Sequence, residues 1–561
     1  MSFLPRLFSS SFRKRCRLRA LIRGYAQLKR ERRIGLGRRI KSALAERQLS
    51  GVAERSSPLI LGASADNSDR MVRQYLFERH VGTAMNRAIL YALGNKSAVA
   101  FALPEVWQQV LIEYGLRVDT MRASLAWRWI LLLHFGRNML SMAQTLMLIL
   151  MAQRQPLPQG RYAYFDGLSA GNLPPLDNTG CSYDICSWYA QWDGRLRDIE
   201  AIRHNVRQAA PVTDGLRIEA IPASFLLLRG ANNIASLLAW CVSATLLSVF
   251  DLLRGRWWHA LMLAEAMRAK AVSLCPAEVL AADYLFHFSG TMYRPMWTYE
   301  AERKGARIIC YFYSTFEQAK LDTGYEPQKF EWGGASWPLY LVWDTYQEAQ
   351  LRRDMGDEPE IRVVGPIWFS SSPVQFEIPA RSVAVFDVEA HRPVAHFPFT
   401  TAGDYIAAHP DFSQRFLRDV RQVLAEHGLT MAFKKKRDIG RRGRKQYTRL
   451  VQEISAEDNV VIATANVSAL KLIENCVGII SMPFTSTALY LRERNIPSAY
   501  YDPTGWIQRD DRAAHGIPIL VGISELRDWV VVNFPQTINE PLELPGPVNF
   551  NRSGSFASSN S

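Results

Sequence analysis

Short, largely apolar runs punctuated by turn residues recur in two stretches of the chain. Residues 162–166, 284–288, 308–313, 338–343 and 361–365 make the first set; residues 382–387, 429–434, 460–463, 477–481, 500–501 and 519–521 make the second. Runs of this length without strict alternation predict strands buried on both faces, the pattern of parallel rather than antiparallel sheets. Between them the period lengthens to that of helices, at 294–304, 345–353 and 411–427. Strand–helix alternation at this spacing predicts an α/β fold of two Rossmann-like domains. The first, over 156–370, carries helical insertions, and the second spans 371–540. No short-period repeat is present, so the halves are alike in pattern only.

Upstream the patterning is helical. Residues 1–50 place Leu18, Leu21, Ile22 and Tyr25 at helical spacing among many arginines, as in a basic amphipathic helix at a membrane interface. A solvated arm fits the same pattern. Residues 48–69 carry Ser, Gly and Pro and read as a linker, at the start of a helical region over 51–155. The apolar run 139–152 is too short to span a bilayer. The run 234–250 holds seventeen consecutive uncharged residues and is followed by Asp251, Arg254, Arg256, Trp257 and Trp258, an interfacial aromatic–basic flank. A crossing there would split the first α/β domain, so a buried or membrane-surface helix is expected. The tail 541–561, rich in Pro, Asn and Ser, is expected to be disordered.

Composition adds two constraints. At 561 residues and 48% apolar content the chain has room for more than one core and too little apolar sequence for a polytopic membrane protein. Of the formal charge of +14, about +13 lies before Ser50, so the remainder is close to neutral. Anionic lipid is the expected partner of that charge. Nucleic acid is not, because no aromatic platform or nucleic-acid module accompanies it. The seven cysteines are scattered without zinc or C-x-x-C spacing, which argues against a disulfide framework and for a reducing compartment. The N-terminus lacks the apolar core of a secretory signal, although an organellar transit peptide would share its Arg and Ser richness.

The chemistry concentrates in residues 476–497. An apolar strand is stopped by Met482 and Pro483; Thr485, Ser486 and Thr487 then open a helix that Asn495 and Pro497 close. A strand, a tight hydroxyl-rich turn and a helix N-terminus suit a phosphate. Lys434 and Lys436 alternate at another strand end and would point to one side, with Lys435 facing away. Asp387 ends a strand at the edge where open α/β sheets bind ligands. Gly440 and Gly443 form no Walker loop. The Gly-x-Ser-x-Gly match at 167–171 runs into Pro174 and Pro175 instead of a helix, so Ser169 is a poor nucleophile candidate.

Pro483-Phe484-Thr485-Ser486 in this strand–turn–helix setting, with Tyr500-Tyr501-Asp502-Pro503-Thr504-Gly505 after it, resembles the signature of the bacterial polysaccharide-biosynthesis family named after its PFTS motif. The likeness runs from about residue 161 to about 531. It implies a GT-B-like arrangement and a glycosyltransferase of capsule, O-antigen or exopolysaccharide assembly. The partners it implies are a nucleotide-sugar donor and an oligosaccharide or lipid-linked glycan acceptor, met at the inner face of the cytoplasmic membrane. Pro483, Phe484, Thr485, Ser486, Thr487, Lys434, Lys436, Asp387, Tyr501 and Asp502 form the expected donor site, with His515 a further residue for the nucleotide end. Asp166, His287, Glu300 and Asp344, near strand ends, compete for general base, and Glu300 and Asp166 are the catalytic candidates. No Asp-x-Asp is present and Asp387-Val388-Glu389 imitates one only loosely, so no metal and no cofactor are expected. Transfer of a phospho-polyol from a CDP donor, or a non-catalytic scaffold for polysaccharide export, are the alternatives.

Overall fold

The computed structural model describes the chain apart from residues 1–10, 32, 34, 82, 96–97, 169–172, 174–184, 190–197, 205–216, 221–223, 288–292, 315–334, 369–376, 389, 393–409, 436–442, 465–466, 510–513 and 536–561. The expected tail, Ser169, Lys436 and Glu389 lie outside the described residues.

The apolar runs form two parallel sheets. The first contains β1 (Tyr162–Asp166), β2 (Ala201–His204), β3 (Arg217–Ala220), β4 (Asp283–His287), β5 (Arg307–Tyr311), β6 (Leu339–Val342) and β7 (Glu360–Val363), ordered β3-β2-β1-β4-β5-β6-β7. The second contains β8 (Ser382–Asp387), β9 (Thr430–Lys435), β10 (Val460–Ala463), β11 (Gly478–Ser481), β12 (Ser498–Asp502) and β13 (Ile519–Val521), ordered β10-β9-β8-β11-β12-β13. Counted within each sheet, the first six strands share one order, the doubly wound one, and every pairing is parallel. The strand order reverses between β1 and β4 and between β8 and β11, and those two switch points are where such sheets bind ligands.

β2 and β3 were not legible as strands. They are short and mixed, and β2 buries Arg203 over the Tyr162 ring at 4.2 Å while pairing it with Glu219 at 2.8 Å. A charge so housed looks like a loop residue in sequence.

The helical region departs from expectation in two places. The basic leader is not a free arm. Its described part forms α1 (Ser11–Arg30) and a second helix (Leu36–Glu46) that buries Leu36, Ile40 and Leu44; α1 buries Ala20, Leu21 and Leu28, in close contact with α2 (Thr83–Asn95). Nor is 48–69 a linker: Val52, Ile60 and Leu61 are core residues, on two helical turns and the start of a 3₁₀ segment. Beyond them, α3 (Thr120–Ala152) and α4 (Ala231–Leu253) flank α5 (Trp258–Leu274), which is buried along most of its length. The Asn138 side-chain amide donates to the carbonyls of Ala260 and Leu261 at 2.9 and 2.8 Å and ties α3 to α5.

The two sheets touch through their loops. His515 Nε2 lies 3.2 Å from Asp344 Oδ2, the His515 ring packs edge-on against Tyr346, and Trp368 packs edge-on against Tyr490.

Candidate active site

At the second switch point the chain leaves β11 through Met482 and Pro483 into a turn whose Phe484 has φ +60°. A bulky residue in the left-handed region is disfavoured, and such strain persists only where the surroundings impose it. Here the Phe484 ring packs on Tyr500 at 5.8 Å, and Thr485 Oγ1 donates to the Met482 carbonyl at 2.7 Å instead of capping the following helix. That helix, α6 (Ser486–Arg492), has only seven residues, so its dipole is a minor part of any anion site. The polar capacity lies in the turn. Ser481 Oγ and Thr487 Oγ1 are both buried and have no hydrogen-bond partner among the described residues. Leaving two hydroxyls unpaired costs about 1–3 kcal/mol each, which a bound polar ligand would recover.

Strand parity sorts the remaining donor-site residues. On the second sheet Ala384, Phe386, Ala432, Ile479 and Tyr500 belong to the core shared with the first sheet, whereas Val383, Val385, Phe433, Ile480 and Tyr501 pack on the outer face. Lys434 follows the parity of Ala432 and therefore points inward, as does Ser481. Burial lowers the Lys434 pKa, and its Nζ reaches the Thr464 carbonyl at 3.3 Å. Lys434 pairs in register with Phe386 on β8, which in turn pairs with Ser481 on β11. Lysine and turn are thus two strand spacings apart, roughly 9–10 Å, a gap that a phosphate and a lysine stem can bridge.

Three expected donor contacts fail. Asp387 has outward parity, is fully buried and accepts from the Tyr447 hydroxyl at 2.5 Å. Tyr501 also faces outward and donates to Asp419 at 2.6 Å. Asp502 folds its own loop: Oδ1 accepts from the Thr504 amide and hydroxyl, and Oδ2 from the Ile507 amide, at 2.7–2.8 Å. His515 is engaged with Asp344 at the contact between the sheets.

On the first sheet, Glu300 is not a cleft carboxylate. It is buried on a short helix (Trp297–Arg303), where Oε1 accepts from the Ala63 amide at 2.8 Å and Oε2 pairs with Arg303 at 2.9 Å. It locks the helical region to the first sheet. Asp344 caps the helix Thr345–Met355 by accepting from the Tyr346 and Gln347 amides. Asp166 and His287 remain, at the ends of β1 and β4, on the two sides of the first switch point. Burial raises the Asp166 pKa. His287 stands among the rings of Tyr311 and Tyr313, and burial lowers its pKa against an opposing hydrogen bond to the Gly167 backbone. His287 Nδ1 is buried without a partner among the described residues, and Nε2 is the ring nitrogen on the Gly167 side. Gly167 must be glycine, because its φ is +74° and a Cβ would stand 3.0 Å from that nitrogen. Burial disfavours the charged imidazole, and Nδ1 is the ring nitrogen left without a partner among the described residues. A histidine closing an apolar strand was the available signal in the sequence.

Two doubly wound parallel sheets in one chain, each with polar groups gathered at its switch point, define an α/β protein of GT-B-like architecture. A family described as "Polysaccharide biosynthesis PFTS motif protein" matches residues 237–530, just over half of the sequence, and the chain belongs to that family. Its place is thus in polysaccharide biosynthesis. No curated protein matches in sequence. Similar solved structures include Os79 from O. sativa with UDP and deoxynivalenol-3-glucoside (10% identity, 66% of this chain and 90% of that one, TM-score 0.33). Others are the lipopolysaccharide outer core galactosyltransferase WaaB (10%, 64% and 80%, 0.29) and the wall teichoic acid polymerase TagF (7%, 72% and 88%, 0.34).

Proposed function

We propose that this protein is a metal-independent glycosyltransferase that moves a sugar from a nucleotide-activated donor to an oligosaccharide or lipid-linked glycan, working peripherally at the cytoplasmic face of the membrane. In this reading 371–540 is the donor domain and 156–370 the acceptor domain. The observation that carries it is the strained turn at Phe484, with the unpaired Ser481 and Thr487 hydroxyls beside it and Lys434 facing the same side. Pro483 and Thr485 shape the turn, Ser486 opens the helix beside it, and Lys434 supplies positive charge to a leaving diphosphate. Asp387, Tyr501 and Asp502 support the strand ends instead of touching the donor.

Calorimetry with UDP, CDP, GDP and CMP tests the reading. One nucleotide should bind, and Lys434→Ala should weaken it roughly ten- to hundredfold, the equivalent of about 1.5–3 kcal/mol for a charge-assisted contact. Failure of all four to bind would sink the proposal and favour the scaffold.

A second expected outcome concerns metal. Among the described residues no three His, Cys, Asp or Glu side chains gather, and Asp387 is committed to Tyr447. Transfer should therefore persist in excess EDTA. Loss that magnesium restores would overturn the metal-independent mechanism.

A further inference from the structure

We propose that α3 and α4 together form a docking face that lays this protein flat on an anionic lipid surface, in the plane of the membrane and without crossing it. The proposal rests on the peripheral location inferred above but needs lipid alone, so its failure is distinguishable from failure of nucleotide binding.

α4 (Ala231–Leu253) buries a single stripe, Leu237, Trp240, Ala244, Ser248 and Asp251. Trp240 Nε1 donates to the Leu59 carbonyl at 2.8 Å, and Asp251 bonds His259 of α5 at 2.6 Å. The opposite stripe is apolar and open: Val242 is 62% exposed, Leu246 66% and Leu253 82%. At 23 residues the helix is about 35 Å long, enough to cross a bilayer by length. It is nonetheless pinned to the protein body at its middle through Trp240 and near its C-terminal end through Asp251, so that this half cannot extend across a bilayer away from the protein. One-sided burial from Leu237 to Asp251 instead marks a helix lying in an interface.

α3 repeats the pattern. It buries Ala123, Trp127, Leu131, Met142, Thr145 and Ile149, and exposes Trp129 (62%) and Leu140 (61%) among other large apolar residues. The Thr245 hydroxyl, 3.8 Å from Met139 Sδ, joins the two helices side by side. Large apolar side chains exposed together on neighbouring helices mark an interaction or membrane surface.

Charge identifies the occupant. Between Thr120 and Arg154 the chain has four arginines (Arg122, Arg128, Arg137 and Arg154) and no acidic residue. All four are exposed, as is Arg254, whose guanidinium covers the Phe250 ring at 3.8 Å. On α4 the one acidic residue, Asp251, is buried against His259. Apolar stripes with exposed arginines and a tryptophan, and no exposed acid on either helix, complement an anionic headgroup layer over acyl chains. Leu21 and Leu28 of the leader helix are buried and take no part in this face.

Flotation of the full-length protein on vesicles tests the proposal, with phosphatidylcholine alone or mixed with phosphatidylglycerol. The protein should float with the mixed vesicles and at least tenfold less with the neutral ones, and an alkaline carbonate wash should release it. Val242→Glu with Leu246→Glu, both outward-facing, should cut flotation at least tenfold while circular dichroism stays unchanged. Three results would each overturn the proposal: no flotation on mixed vesicles, flotation that survives the double substitution, or resistance to carbonate, which would mean a crossing. A solution dimer that the double substitution dissolves would also overturn it, by assigning the face to a second copy of the chain.

Discussion

Replacing His287 with alanine is expected to lower sugar transfer by roughly 10²–10⁴-fold, the usual contribution of a general base, while nucleotide affinity stays unchanged. The acceptor hydroxyl must lose its proton as it attacks, and only a neutral imidazole or an ionised carboxylate can take it. His287 meets that need through two features of its surroundings. Burial pulls its pKa down from the usual imidazole value, which favours the neutral ring. Nδ1 has no partner among the described residues and is open to accept a proton. The sign of the pH effect follows: with the base pKa lowered, kcat/KM should hold as pH falls through 6.5 and decline only below it. His287→Gln should be nearly as inactive as His287→Ala, because an amide fills the space without accepting a proton. Asp166→Asn is the competing variant. Activity surviving in His287→Ala but lost in Asp166→Asn would move the base to the other side of the switch point.

The sheets were largely legible because buried parallel strands are uniformly apolar. The strands of both sheets fall within a residue or two of their runs, apart from β2 and β3. The site was legible in part. Its turn was readable because Pro483 must stop a strand, yet nothing local foretells that Phe484 adopts a left-handed conformation. Parity separates Lys434 from Asp387, and alternation along a strand is a property of the sequence itself: Asp387 shares its face with Val383 and Val385, and Lys434 with Ala432. Glu300 misled for a different reason. A carboxylate on a helix after a strand looks the same in sequence whether it faces a cleft or a backbone amide. Its partner, Ala63, lies 237 residues away. The leader misled because fifteen Lys and Arg residues before Ser50 suggest an exposed helix, while its packing surface depends on small residues that no charge pattern reveals.

Those small residues carry the second large effect: Gly24→Leu is expected to destabilise the helical region by about 3 kcal/mol or more and to make the protein prone to aggregation. On α1 a Cβ at Gly24 would stand 2.0 Å from the Leu90 carbonyl oxygen of α2, and on α2 a Cβ at Gly94 would stand 1.9 Å from that of Ala20. Both obstacles are backbone atoms, so no side-chain rotation relieves them and the helices must separate. Separation exposes Ala20, Leu21 and Leu28, together with Ile89, Leu90 and Leu93 on α2. Each large side chain of that set contributes about 1.5–3 kcal/mol when fully buried, so even partial loss is severe. Deleting residues 1–47 should act in the same direction, because it removes the whole partner face of α2 and not a dispensable arm. Gly24→Ala should be milder than Gly24→Leu, since helix propensity returns up to about 1 kcal/mol against the same backbone clash. Thermal and urea unfolding of the full chain measure all three. A truncated protein that melts at the wild-type temperature, or a Gly24→Leu midpoint unchanged in urea, would show that α1 does not contribute to the core in solution.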